Sequence, residues 1–142
     1  MRMLAIYTDA ASSGNPGPTG ISFVIKQNGH FIEYYKYIGD AVSNHDGEFY
    51  ALMSALDYCK EHFPNDILSI RSDSKLVVDA VNRQYVKQDH FRHLLEMVLT
   101  KMDPFPHCFI KWIPEKQNSH ADRLAKKALL TKSELISQSP SV

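Results

Sequence analysis

Four acidic residues stand where a solvated surface acid would not be expected. Asp9 follows the apolar run "MLAIY", and Asp73 follows "ILSIRS", so both sit at the ends of segments that read as core strands. Glu48 is placed in the first turn of a long helix, and Asp122 in the first turn of the last one. A carboxylate at the end of a core strand loses hydration that something must replace. Each acid alone has a plain explanation, as a turn residue or as a charge favoured by a helix dipole. Brought together in a partly dry site they would repel one another, and without cations some would have to take up protons. Mg²⁺ relieves that repulsion and prefers oxygen ligands while keeping several waters. Two such ions about 3.5–4 Å apart can clamp a phosphate for hydrolysis.

The elements that must position these acids are legible as periodicity. Residues 3–9 form an unbroken apolar run and read as a strand buried on both faces. "ISFVIK" (21–26) and "HFIEYYKYI" (30–38) alternate, with Gln27-Asn28-Gly29 between them as a hairpin turn. Ser43 or Asn44 supplies an N-cap for a long helix whose Phe49, Leu52, Met53, Leu56, Cys59 and Phe63 recur on one face. A strand over 67–73, a short helix over 74–83 and a helix over 89–102 follow. A last strand over 107–113, with Trp112 in the core, precedes a closing helix capped by Asn118. Its Ala121, Leu124, Ala125, Ala128 and Leu129 face inward.

The order β-β-β-α-β-α-α-β-α predicts an α/β fold, a mixed sheet with helices on its faces. If the fourth strand returns parallel beside the first, Asp9 and Asp73 share one sheet edge, where open α/β sheets bind ligands. Residues 1–131 read as one domain, and the polar, aperiodic 132–142 as a frayed tail.

Bulk composition narrows the function classes. Hydrophobic residues at 44% and charged ones at 23% are those of a globular protein rather than a disordered one. No apolar run reaches membrane-spanning length, and "MRMLAIYTD" is too soon charged for a signal peptide, so a cytoplasmic location and no membrane partner are expected. Cys59 and Cys108 lack metal or disulfide spacing and read as buried thiols. The 16 basic and 16 acidic side chains cancel, which argues against wrapping nucleic acid by bulk charge and leaves only local basic stretches near 81–93 and 111–127.

The segments "YTDAASSGNPGPTG", "SNHDGEFYAL", "IRSDSKLVVDAV" and "NSHADRLAKKAL" together resemble the type 1 ribonuclease H family, in family order and over roughly residues 4–130. The resemblance implies a five-stranded mixed sheet and endonucleolytic hydrolysis of the RNA strand of an RNA/DNA hybrid, leaving 3′-hydroxyl and 5′-phosphate ends. It also implies that Asp9, Glu48, Asp73 and Asp122 are the catalytic, metal-binding carboxylates, using Mg²⁺ (two ions with substrate) or Mn²⁺. Asn15 and Ser43 match a pair that contacts a DNA-strand phosphate, Asn44 a residue that reads the hybrid groove, and Asn118 is counted with the substrate contacts. Gly14, Gly17 and Gly20 suit a loop whose backbone approaches a partner closely. No organic cofactor is implied, and nothing demands more than a monomer.

Two departures qualify the activity. The loop "PEKQNS" before the last aspartate has no histidine, and His120 is placed on a different helical face from Asp122. Glu115 and Lys116 read as solvated loop groups. The stretch "VNRQYVKQDHFRHLLEM" lacks the tryptophan-bearing basic protrusion of larger members. The alternatives are therefore a nucleic-acid-binding module of this shape with little catalysis, or a nuclease acting on double-stranded RNA or branched DNA.

Overall fold

The computed structural model describes residues 2–138. Its elements run β1 (Met3–Ser12), β2 (Gly17–Gln27), β3 (His30–Val42), α1 (Asn44–His62), β4 (Ile67–Ser72), α2 (Lys75–Arg83), α3 (Asp89–Met102), β5 (His107–Trp112), α4 (Ser119–Thr131) and β6 (Glu134–Gln138), with a 3-10 turn over Glu115–Gln117 before α4. The sheet order is β5-β4-β1-β2-β3-β6. Strands β1, β2 and β3 are antiparallel neighbours, and β4 pairs parallel with both β1 and β5.

The expected sheet had five strands; the structure has six. Residues 134–138, expected to fray, add β6 antiparallel to β3, in the register Tyr34↔Ile136. The outer edge of β3 offers unpaired backbone donors and acceptors, and pairing with it orders a segment that has no periodicity of its own. Residues 139–142 of the expected tail lie outside the described residues.

Side-chain alternation on β2 divides the core between two layers. Phe23 and Ile25 join Leu4, Ile6, Phe49, Leu52 and Leu56 in the larger cluster, under α1. On the opposite face, Ser22 donates to the Ala121 carbonyl of α4 at 2.6 Å. Gly20 allows α4 to approach this closely, because a Cβ there would meet the Ala125 carbonyl oxygen at 2.3 Å and the Leu129 nitrogen at 2.7 Å. The small Ala121, Ala125 and Ala128 are fully buried along that contact.

Three expectations need adjustment. β1 is not buried on both faces: Leu4 and Ile6 are, while Ala5 and Tyr7 are half-buried. It also runs past Asp9 to Ser12, because its ladder with β2 continues to Ser12↔Thr19 after its ladder with β4 ends at Thr8↔Ser72. Trp112 is not a core residue; it is 50% exposed, since β5 is the edge strand and little covers its end. Among the described residues, no helix is long and apolar enough to cross a membrane.

Candidate active site

Register brings the first two acids together. Thr8 and Ser72 are partners across the parallel β1–β4 pair, so Asp9 and Asp73, one residue on, leave the same end of neighbouring strands. The Asp73 turn is held by Ser72, whose hydroxyl accepts from the Ser74 N–H at 3.0 Å, and by Ser74, which caps α2 through the Val77 N–H at 3.4 Å.

The third acid comes from α1. Ser43 is its N-cap, accepting from the Asp46 N–H at 3.1 Å, so Asp46 rather than Glu48 occupies the first turn. Glu48 lies deeper, and the helix dipole does not account for it. Gly47 lets α1 close on the sheet, since a Cβ there would stand 3.0 Å from Thr19 Cγ2 and 3.1 Å from Ala10 Cβ. One ligand oxygen from each of Asp9, Glu48 and Asp73 lies within 4.8 Å of the others. Asp9 and Glu48 are each 5% exposed.

Asp122, in the first turn of α4, does not join this group of three. It lines the same 190 Å³ cavity, and Lys126 engages its carboxylate at 2.9 Å. Glu115 is exposed, as expected of a solvated loop group, and it also lines the rim of the cavity.

Burial dominates the electrostatics. It pushes the Asp9 carboxyl up to about 8, with the nearby Asp73 charge adding to the effect. Burial, then Asp9 and Asp73, raises Glu48 well above the usual carboxylate range. Asp73 is raised by burial as well, against a hydrogen bond from Asn118 that favours its charged form. The cluster therefore holds protons at neutral pH when no cation is present. Glu48 Oε1 is buried with no hydrogen-bond partner, an acceptor aimed at a positive charge that protein atoms do not supply. An all-oxygen donor set with one such orphaned acceptor fits a hard divalent cation such as Mg²⁺ or Mn²⁺ and does not fit a thiolate-seeking metal.

The expected substrate residues divide into two groups. Asn15, Ser43 and Asn44 meet at the mouth of the site: Asn15 Oδ1 accepts from the Asn44 N–H at 3.1 Å, and Asn44 lines the acidic cavity. Asn118 does not belong with them. It is 1% exposed and makes no side-chain cap; its Nδ2 instead donates to the Thr8 carbonyl at 2.9 Å and to Asp73 Oδ2 at 3.1 Å. A buried side chain has no surface to offer a nucleic acid, so its role is to position Asp73. His120 faces away as expected, paired with Glu33 at 2.5 Å. His45 packs edge-on against Phe91. A larger cleft of 620 Å³ lies between Val81, Met102, Phe105 and Phe109, and it contains none of the clustered acids.

A family model described as "Reverse transcriptase-like" matches residues 7–128. EbsB of Enterococcus faecalis is 37% identical over 128 residues, 89% of this chain and 94% of that protein. Ribonuclease HI of Halobacterium salinarum is 32% identical over 126 residues, 87% of this chain and 62% of that protein. The crystal structure of LC11-RNase H1 with an RNA/DNA hybrid superposes with a TM-score of 0.82 at 30% identity, covering 90% of this chain and 97% of that one. Some curated relatives are longer, and the chain spans only 35% of the bifunctional protein Rv2228c of Mycobacterium tuberculosis. With the family model matched over residues 7–128, and with ribonuclease HI relatives and structures aligned along most of this chain, the chain belongs to the type 1 ribonuclease H family.

Proposed function

We propose that this protein is an endoribonuclease that hydrolyses the RNA strand of RNA/DNA hybrids, leaving 3′-hydroxyl and 5′-phosphate ends. The observation that carries the reading is the convergence of Asp9, Glu48 and Asp73 on one point beside an orphaned buried oxygen. That arrangement is unstable as three bare charges and is relieved either by protons or by a divalent cation. The LC11 enzyme, whose structure holds an RNA/DNA hybrid, supports the choice of substrate.

Asp9, Glu48 and Asp73 would hold Mg²⁺ or Mn²⁺, and Asp122 at the cavity wall would complete the ligands of a second ion when substrate is present. Bound there, the cation supplies charge neutralisation at the reacting phosphate and a lowered pKa for the attacking water. The remaining work belongs to the chain. Asn118 keeps Asp73 oriented and favours its charged form against burial. Lys126 pairs with Asp122 at the cavity wall and holds its carboxylate in place. Asn15, Ser43 and Asn44 present amide and hydroxyl groups at the mouth, suited to phosphate and to the 2′-hydroxyl that marks RNA. The enzyme works as a monomer without an organic cofactor.

The test is a panel of end-labelled substrates, comprising an RNA/DNA hybrid, a DNA duplex and an RNA duplex, each with Mg²⁺, Mn²⁺ or EDTA. Cleavage confined to the hybrid's RNA strand and lost in EDTA supports the reading. Binding without cleavage would favour a binding module, and cleavage of the RNA duplex a different nuclease.

A further inference from the structure

Trp112 ends β5 with half of its surface open to solvent. A large apolar ring left this exposed is held by something other than core burial. Here the indole N–H donates to the backbone carbonyl of Asp73 at 3.2 Å. Trp112 is paired with Ser72 across the parallel β4–β5 ladder, so the ring sits one residue from a cluster carboxylate on the adjacent strand. The ladder continues past it, with the Ile113 N–H donating to the Ser72 carbonyl at 2.9 Å. One end of the indole is thus fixed while a face remains open. β5 is the edge of the sheet, and no further strand flanks it among the described residues. Lys111, which points to the opposite face of the strand, is exposed, and so is Lys116 in the turn that follows.

A fixed, exposed aromatic face next to a phosphodiester-hydrolysing centre has the chemistry of a nucleotide seat: the ring takes a sugar or base face. We propose that Trp112 is a substrate contact, packing against a nucleotide ring of the strand that flanks the reacting phosphate. This rests on the proposed hydrolysis of hybrids and adds to it a specific contact outside the carboxylates. It also gives the Asp73 carbonyl a second role, since the same bond that orients the ring ties the seat to the reacting centre.

The chain has one tryptophan, so its emission reports on Trp112 alone. The protein is titrated with a fluorescently labelled blunt hybrid and with one carrying a single-stranded extension, using Ca²⁺ in place of Mg²⁺ to suppress cleavage. Label anisotropy and tryptophan emission are followed together. The expected result is an emission change that saturates along the anisotropy curve. A response to the blunt hybrid identifies a sugar of the duplex as the contact; a response only to the extended one identifies an unpaired base. Under cleavage conditions, Trp112→Leu raises KM about tenfold, whereas Trp112→Phe, which keeps a ring, stays within about twofold. Any fall in kcat common to both variants reports the lost bond to Asp73, separately from the seat. Saturated binding with unchanged emission, or Leu and Phe variants that both match the parent KM, overturns the inference while leaving hybrid hydrolysis intact. Failure of either hybrid to bind overturns both.

Discussion

The Asn118 carboxamide donates to Asp73 Oδ2 at 3.1 Å and to the Thr8 carbonyl at 2.9 Å, tying the start of α4 to two adjacent strand ends. One buried amide thereby sets the direction of a cluster carboxylate and opposes the upward push that burial gives its pKa. Asn118→Ala removes that support without touching the metal-ligand set. Groups that orient ligands from behind cost roughly 10–100-fold in metal affinity or activity when removed. The expected outcome is a loss of that size in the Mg²⁺ dependence of cleavage, read from rates across a metal titration. An unchanged half-saturating Mg²⁺ concentration would assign Asn118 a purely structural role.

Proton uptake by the cluster makes the stability of the cation-free protein depend on pH in an unusual direction. The Asp9 carboxyl lies at about 8 in the fold, against 3.8 for an ordinary aspartate, and Glu48 is raised in the same sense. The folded state therefore holds protons that the unfolded chain has released, and this contribution is fully present below about pH 4 and is lost as pH rises through about pH 8. In EDTA, Asp9→Asn should flatten that loss and stabilise the protein at pH 8.5 by on the order of 2 kcal/mol, a rise of several degrees in Tm. Thermal melts of both proteins at pH 5.5 and pH 8.5 check the sign; a variant that melts lower than the parent at pH 8.5 contradicts it.

Much of the fold is legible in local pattern because the physical cause is local. The alternation in "ISFVIK" and the one-faced apolar residues of α1 report burial directly, and Ser43 caps where its type suggests. Asp9 and Asp73 are legible for the same reason, as acids beside apolar strands. What escapes is set by partners distant in the chain. Glu134–Gln138 becomes a strand only because the edge of β3 is available, and Trp112 is exposed because β5 is the sheet edge, with no further strand beside it among the described residues. Asn118 has the type of a helix cap, but the strand ends packed beneath it turn its side chain inward to Thr8 and Asp73.

The contact between α4 and β2 is intolerant of a single methyl group. A Cβ at residue 20 would overlap backbone atoms of Ala125 and Leu129, which cannot move without shifting the helix that carries Asp122 and Asn118. Overpacking of this kind costs about 1–3 kcal/mol or more. Gly20→Ala should lower the denaturation midpoint accordingly and reduce cleavage more than its stability loss explains. Wild-type stability in a urea melt would show that α4 has room to spare.

Substrate affinity should be strongly salt-dependent and modest. The chain carries no net charge, and the stretch from 81 to 93 supplies only Arg83, Lys87 and Arg92 as fixed cations. Binding that depends on a few phosphate contacts weakens steeply as salt competes. KM for the hybrid should rise on the order of tenfold or more between 50 and 200 mM salt, measured by initial rates, with kcat little changed. A KM that stays level over this range would point to base or shape contacts instead.

In the proposed reaction Asp9, Glu48 and Asp73 act together on a divalent cation to cut RNA, and Asp73→Asn takes one of the three out of that set. The amide keeps the size of the side chain and removes the charge that the cation requires. RNA-strand cleavage of a hybrid in Mg²⁺ is expected to fall by a factor on the order of 10³ or more, with the variant still folded by circular dichroism. A folded variant that retains cleavage within about tenfold of the parent would contradict the account.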